Sequence, residues 1–446
     1  MAAILVIAAT GWTQQPPAPS PGTLTIDLKE ALARARQYGA QIQSANIAAQ
    51  LAREDWKQAK AAALPSVNGL NQFIYTEGNG TPSGVFVAND GVHVYNEQLQ
   101  AHEEVLALVR RGEIRMAAAA AAVARAKAEV AARGLIVTVV QDYYAIAAAQ
   151  RKLTNGQSSL SEAEHFLDIT QKQERGGEAA HVDVIKAQLQ VEQHRRDVQD
   201  AELAVEKAKI ALAVLIFPKL EVDYSIVDDL ANPVLLPALS EATAQAAANN
   251  SDVQAAQASL HQARLGVTVA RYAYLPSFGL DVFYGIDANQ FAAQSKSAED
   301  TGRSTLPHFA VPNRQNLGYV AQATLNIPLW SWGSIHSKVK QAALKEQQAE
   351  LDLTTAQKQL DAELATSYRE AQSALSQVES LRSSAKLAAE SLRLTLLRYE
   401  AGEATALEVV DAQTTVTQAR GGYDDGLVRY RTALANLQIL TGSLPQ

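Results

Sequence analysis

The feature that most constrains this chain is that it is written twice. LKEALARARQYGAQIQSA from Leu28 lies without a gap on LSEATAQAAANNSDVQAA from Leu239, an offset of 211 at which Leu28, Glu30, Ala31, Gln43 and Arg53 all recur. Both copies run on to Leu-Pro-Ser, as Leu64-Pro65-Ser66 and Leu275-Pro276-Ser277. Beyond Gly333 the offset is 225, so that Tyr143, Val184, Ala187 and Leu212 return as Tyr368, Val409, Ala412 and Leu437. The 14 extra residues of the second copy therefore lie between Pro276 and about Gly333. A duplicated chain folds as two equivalent supersecondary units, and each unit is read once for both.

Each unit begins with a helix expected over Leu28–Leu64 or Leu239–Leu275, ended by the proline that forces its predecessor out of helical space. A hairpin follows, then long helical tracts at about Glu113–Glu174 and Ser334–Glu400. A glycine turn leads to a return helix, Glu178–Phe217 or Glu403–Gly442. An interruption is expected near Asn155-Gly156, where helix propensity drops. The return helices carry heptads: Val184, Val191, Val198, Val205 and Leu212 alternate with Ala187, His194, Ala201, Ala208 and Leu215, and the second copy repeats the register from Val409 to Leu440. Large and small residues alternating every 3.5 positions make a coiled-coil seam. At 1.5 Å per residue the long tracts reach roughly 90–100 Å, so the molecule is elongated. The expected domains are residues 1–27 (signal remnant and Pro-rich lead-in), 28–217 (first repeat), 218–238 (linker) and 239–446 (second repeat).

The hairpins bear on function. In Gly318–Trp330, Tyr319, Ala321, Ala323, Leu325, Ile327 and Leu329 alternate with Val320, Gln322, Thr324 and Asn326; the partner Ser277–Asp287 puts Phe278, Leu280, Val282 and Tyr284 on one side. One apolar and one polar face over about ten residues suits a transmembrane barrel stave; for a single hairpin, packing on a soluble core is the commoner reason for that pattern, and it is the duplication of the hairpin that shifts the balance. The first hairpin, Val67–Tyr75 with Val92–Ala101, places Glu97 among the outward positions. Four strands do not close a barrel, and lipid tolerates no open edge. Either the sheets are soluble or several chains share one barrel, three chains giving twelve strands. Trp330 and Trp332 fit an interfacial aromatic belt or local packing.

Composition removes other classes. A net charge of −8 without a basic cluster argues against nucleic acid as a partner. There is no cysteine, and the 8 histidines show no HExxH or Cys/His spacing, so no metal or cofactor is expected. GNGTPSG at Gly78–Gly84 lacks the strand–Gly–Lys–helix setting of a phosphate loop, and no nucleophile motif marks an enzyme. There is no uninterrupted run of 18 apolar residues, so no membrane-spanning helix is expected. Ala2–Ala9 has the shape of the end of a secretory signal without its basic n-region.

The repeated order of helix, Leu-Pro-Ser, hairpin, long helix, Gly turn and helix resembles the TolC family of outer-membrane efflux and secretion channels. The turns GGEAAHVDVIKAQ and AGEATALEVVDAQ, from Gly176 and Ala401, look like its tip pattern, and NIPLWSWG (Asn326–Gly333) resembles its strand-to-helix junction. The resemblance implies a mainly α, elongated homotrimer: a barrel of long coiled-coil helices in the periplasm joined to a 12-stranded β-barrel in outer-membrane lipid. It implies efflux of small molecules or type I secretion, with a periplasmic adaptor protein and an inner-membrane transporter of the resistance-nodulation-division or ABC kind as partners. The adaptor would meet the tip turns at Gly177, Glu178, Ala179, Gly402, Glu403 and Ala404. Glu408 and Asp411 match positions that constrict the tunnel mouth, where threefold symmetry would make rings of carboxylates; they also suit an ordinary solvated helix start. Tyr399 and Asp183 match a polar link of the closed state. The family arginine of that lock is Ala404 here, which turns attention to Arg398 or Arg175. The reading from a different class is a soluble, elongated coiled-coil scaffold.

Overall fold

A computed structural model of the chain describes residues 24–75, 93–232, 234–288 and 317–443. The expected leader, the hairpin loops and GNGTPSG lie outside the described residues. Each repeat opens with two helices in place of the single one expected: α1 (Leu28–Tyr38) and α2 (Ala40–Ala61), then α5 (Leu239–Asn249) and α6 (Ser251–Tyr272). The breaks fall at equivalent positions, Gly39 and Asn250, both extended with ψ of 115° and 120°. Asn250 starts its helix by accepting the amides of Asp252 and Val253 at 3.0 Å, an N-cap bond that competes with continuation. Gly39 is required by space: a Cβ there would lie 2.4 Å from Leu135 Cδ2.

The long helices are α3 (Leu108–Gly176, 69 residues) and α7 (Ser334–Glu400, 67 residues), returned by α4 (His181–Ile216) and α8 (Ala406–Thr441). No interruption occurs at Asn155-Gly156. Asn155 Nδ2 donates to Asp424 Oδ2 at 2.6 Å, and a Cβ on Gly156 would already touch Val198, so tertiary contact overrides weak propensity there. Along both return helices the heptad residues are buried or half-buried, with Val184, Ala187, Val409, Val416 and Leu437 at 3% exposure or less. By length and composition α3 contains a segment apolar enough to cross a bilayer. It packs on α2, α4, α6 and α8, however, as a bundle helix does.

The strands β2 (Ser66–Tyr75), β3 (His93–Leu106), β5 (Ser277–Ala288) and β6 (Leu317–Asn326) form one antiparallel sheet in the order β2-β3-β5-β6. The two hairpins are thus joined through β3 and β5. That pairing carries β3 past the expected end at Ala101, to Leu106 opposite Phe278, with a register shift between Glu103 and Leu106. A second, parallel sheet pairs β1 (Leu24–Ile26) with β4 (Tyr224–Ile226), in segments expected to be lead-in and linker. The largest core cluster lies here, at mid-length of the long helices, where Ile26, Leu135, Val139, Tyr143, Leu212, Ile216 and Tyr224 meet. Tyr143 donates to the carbonyl of Val227 at 2.7 Å, and Tyr224 to that of Lys209 at 2.7 Å. Burial raises both phenols well above their ordinary range.

Candidate functional site

The ladder register decides which sheet residues share a face, because directly paired residues in an antiparallel sheet point the same way. One face collects Ser66, Asn68, Gln72, Asn96, Gln98, Gln100, His102, Asp281, Gln322, Thr324 and Asn326, together with the large apolar Leu70, Phe283 and Val320. The other collects Val67, Phe73, Leu99, Ala101, Phe278, Leu280, Val282, Tyr284, Tyr319, Ala321, Ala323 and Leu325. Val67, Phe73, Leu99, Tyr284, Tyr319 and Leu325 are more than half exposed in the single chain. Two acids do lie on the apolar face, Glu97 opposite Asn71 and Glu103 opposite Leu280. On the polar face His102 Nδ1 and Asp281 Oδ1 stand 2.6 Å apart, tying β3 to β5. Among the described residues β2 and β6 each have one neighbour, so the sheet has two open edges.

At the far ends of the long helices lie the two tip turns. Gly177 and Gly402 have φ of 77° and 76°, the left-handed conformation that glycine adopts without Cβ strain. Each turn closes by Schellman-type bonds: Glu178 N–H to the carbonyl of Gln173 at 2.9 Å, and Glu403 N–H to that of Arg398 at 2.8 Å. Glu178 and Glu403 are exposed; Ala179 and Ala404 are half-exposed. The first tip adds His181 to Glu174 at 2.6 Å.

The second tip is built differently. Thr405 caps α8 in a capping box: its Oγ1 accepts from the Glu408 amide at 3.3 Å, and Glu408 Oε1 accepts from the Thr405 amide at 3.1 Å. Arg398 donates to the Glu403 carbonyl at 2.9 Å and to Glu408 Oε2 at 3.4 Å. The Thr405 amide and hydroxyl, with Arg398 beside them, hold the Glu408 carboxyl below its ordinary pKa. Asp411, one turn on, is exposed; its backbone carbonyl accepts from the Thr415 hydroxyl at 2.8 Å, and no side chain among the described residues bonds its carboxylate.

The structure does not bring Tyr399 and Asp183 together within the chain. Asp183 meets Lys186 on its own helix at 3.5 Å. Tyr399 is buried against Phe166, ring centroids 5.2 Å apart, with its hydroxyl 3.4 Å from Thr170 Oγ1; its carbonyl accepts from Gln173 Nε2 at 3.1 Å. Among the described residues the Arg175 side chain bonds the Gln171 carbonyl of its own helix, leaving Arg398 as the arginine that closes the second tip.

A set of residues missed by sequence reading joins the two coiled coils. From mid-length to tip on α3, Arg151 and Asn155 bond Asp424, Ser159 meets Thr417 at 3.0 Å, Glu162 meets Arg420 and Gln413, and Thr170 and Gln173 meet Tyr399. These α3 positions follow a helical spacing, a second stripe beside the coiled-coil seam. Its polar residues resemble an ordinary solvated face in sequence, which is why only the partner helix reveals it.

Comparison with known proteins fits this architecture. The family model described as outer membrane efflux protein matches residues 29–216 and 242–443. The chain is 25% identical over 318 residues to the pyoverdine export outer membrane protein OpmQ of Pseudomonas aeruginosa, spanning 69% of this chain and 60% of that protein's length. Among solved structures, the outer-membrane channel OprN superposes with a TM-score of 0.78 at 18% identity, over 93% of this chain and 90% of that one. The CmeC outer membrane channel of Campylobacter jejuni gives 0.76 at 16%, over 99% and 94%. With both matched segments covering most of the two repeats, the chain belongs to the outer membrane efflux protein family.

Proposed function

We propose that this chain is an outer-membrane efflux channel, without enzymatic activity, that works as a trimer. Three sheets of four strands join edge to edge, β6 of one copy on β2 of the next, in a 12-stranded barrel. The apolar faces then meet lipid and the polar faces line a water-filled lumen. The helices continue the conduit into the periplasm, and the tip turns at Gly177–Ala179 and Gly402–Ala404 meet a periplasmic adaptor that couples the channel to an inner-membrane pump. At the tunnel mouth Glu408 and Asp411 form rings of carboxylates that favour cations. Tyr399, through Thr170 and Gln173, holds the second coiled coil to the first in the closed state; Asp183 exchanges its contact with Lys186 for one with a neighbouring copy.

The observation that carries this reading is the sheet: its register sorts residues into a mainly apolar and a mainly polar face, while among the described residues both edges are unpaired. In water an exposed apolar face and two open edges would be an aggregation hazard; in a shared barrel both are satisfied. Glu97 and Glu103 on the apolar face are the observation that favours a soluble scaffold. The mass of the detergent-extracted protein decides between them. A detergent-dependent particle of three 47.8 kDa chains is expected. A monomer soluble without detergent would overturn the channel.

A further inference from the structure

The sheet meets the helices at four junctions, and every one carries large apolar residues left exposed: Leu64, Leu106, Tyr274 and, most of all, Leu329, Trp330 and Trp332. Leu329, Trp330 and Trp332 are 88%, 76% and 89% exposed, and the two indoles touch edge to face with centroids 5.7 Å apart. Backbone conformation holds them there. Trp332 has φ of 52°, the sole positive φ at a non-glycine residue among those described, and Gly333 follows at 78°. A bulky side chain in the left-handed region is strained, and local packing does not relieve it, since both indoles are largely exposed. This apolar collar is continuous with the apolar sheet face through Leu325, whose side chain is 57% exposed.

One or two helical turns beyond the collar the charge changes sign. The eight helical residues nearest each junction, 54–61, 108–115, 265–272 and 334–341, hold eight basic and three acidic side chains, in a chain whose overall charge is −8. Lys60 sits over the Trp56 ring, 3.5 Å from its centroid. Arg111, Arg115, Arg271, Lys338 and Lys340 are exposed and make no ion pair among the described residues. Unpaired bases are thus gathered at one level of α3, α6 and α7, directly under an aromatic and aliphatic ring.

We propose that this double collar is a binding surface for the anionic phospholipids of the helix-side leaflet. The tryptophans and leucines lie at the hydrocarbon boundary, and the arginines and lysines at the depth of the lipid phosphates. This rests on the membrane reading of the sheet above and adds to it the leaflet chemistry that the chain selects.

The test uses the full chain reconstituted in vesicles with spin-labelled lipid probes. Phosphatidylglycerol is expected to exceed phosphatidylcholine in the protein-bound fraction about five-fold, what one base close to an anionic surface supplies, and high salt should lower the ratio. The variant R111Q/R115Q/R271Q/K338Q/K340Q removes only exposed, unpaired charges and should bring the ratio near one; R111K/R115K/R271K/K338R/K340R should keep it. Equal binding of the two lipids by the native chain, or an unchanged ratio in the glutamine variant, would overturn the proposal. Absence of any bound lipid signal with either probe would remove the membrane reading itself, a different result.

Discussion

Glu162 on α3 and Arg420 on α8 form an ion pair of 3.0 Å between the two coiled coils, and Gln413 donates to the Glu162 carbonyl at 3.3 Å. These two residues belong to different repeats. The seams inside each coiled coil are apolar, built from Val, Ala and Leu, whereas the contact between the coiled coils, apolar at mid-length where Leu427 and Ala435 join the α3 core, turns polar from Arg151 to Glu162 until Phe166 and Tyr399 close it near the tip. Polar contacts exchange partners with water at little net cost, so this is the boundary at which the two hairpins separate most readily.

The Glu162–Arg420 pair is half-buried and worth about 1 kcal/mol. A double-mutant cycle of Glu162→Ala and Arg420→Ala, read by thermal unfolding, should return a coupling of that size. Arg420→Ala should also raise the closed-state conductance in planar bilayers. A coupling near zero with unchanged conductance would mean that the boundary does not hold the mouth shut.

At the mouth the two acids are not equivalent. The Glu408 carboxylate is engaged by Thr405 and Arg398, while among the described residues the Asp411 carboxylate has no hydrogen bond or ion pair. Asp411→Asn should therefore lower cation preference more than Glu408→Gln, and the double variant should also weaken block by divalent ions. Equal effects of the single variants, measured as reversal potentials, would refute the ordering.

The same contacts make a pH prediction. Because Glu408's pKa is lowered on folding, its cap contributes stability above the ordinary carboxylate value, and that contribution is lost as pH falls through the depressed value. Tip protection from proteolysis should persist at pH 5 and weaken only below the ordinary value of 4.5. In Glu408→Ala it should be weak at both.

Sheet glycines offer a paired test. A Cβ on Gly285 would lie 2.6 Å from the Gln98 Cα and closer still to the Glu97 carbonyl, both backbone of the neighbouring strand. Gly318→Ala meets nothing within 4 Å. Gly285→Ala should part β3 from β5 and abolish trimer recovery on detergent gels; Gly318→Ala should leave it intact. A stable Gly285→Ala trimer would show that the β3–β5 pairing does not hold the barrel.

Gly402→Val forces a β-branched residue to a φ of 76°, a strain of about 1–2 kcal/mol confined to the tip. Efflux that depends on the adaptor should fall, with trimer yield unchanged. Full efflux would move adaptor docking away from this turn.

The sequence by itself determined what depends on neighbours near in the chain. The duplication, the heptads from Val184 and Val409, the proline stops before Ser66 and Ser277 and the glycine corners at Gly177 and Gly402 were all legible, because each follows from periodicity or backbone freedom within a few residues. Tertiary structure decided the rest. The join of β3 to β5 depends on residues nearly 200 positions apart, Leu99 opposite Tyr284. Arg151 finds Asp424 across 273 positions, Tyr399 turns to Thr170 instead of Asp183, and α3 runs unbroken through Asn155 because Asp424 receives that amide. Glycine at 39 and asparagine at 250 break equivalent helices for unlike reasons, one from the approach of Leu135 and one from its own cap. Local pattern specifies which face of an element is apolar; which element covers that face is set by packing between segments that are adjacent only after folding.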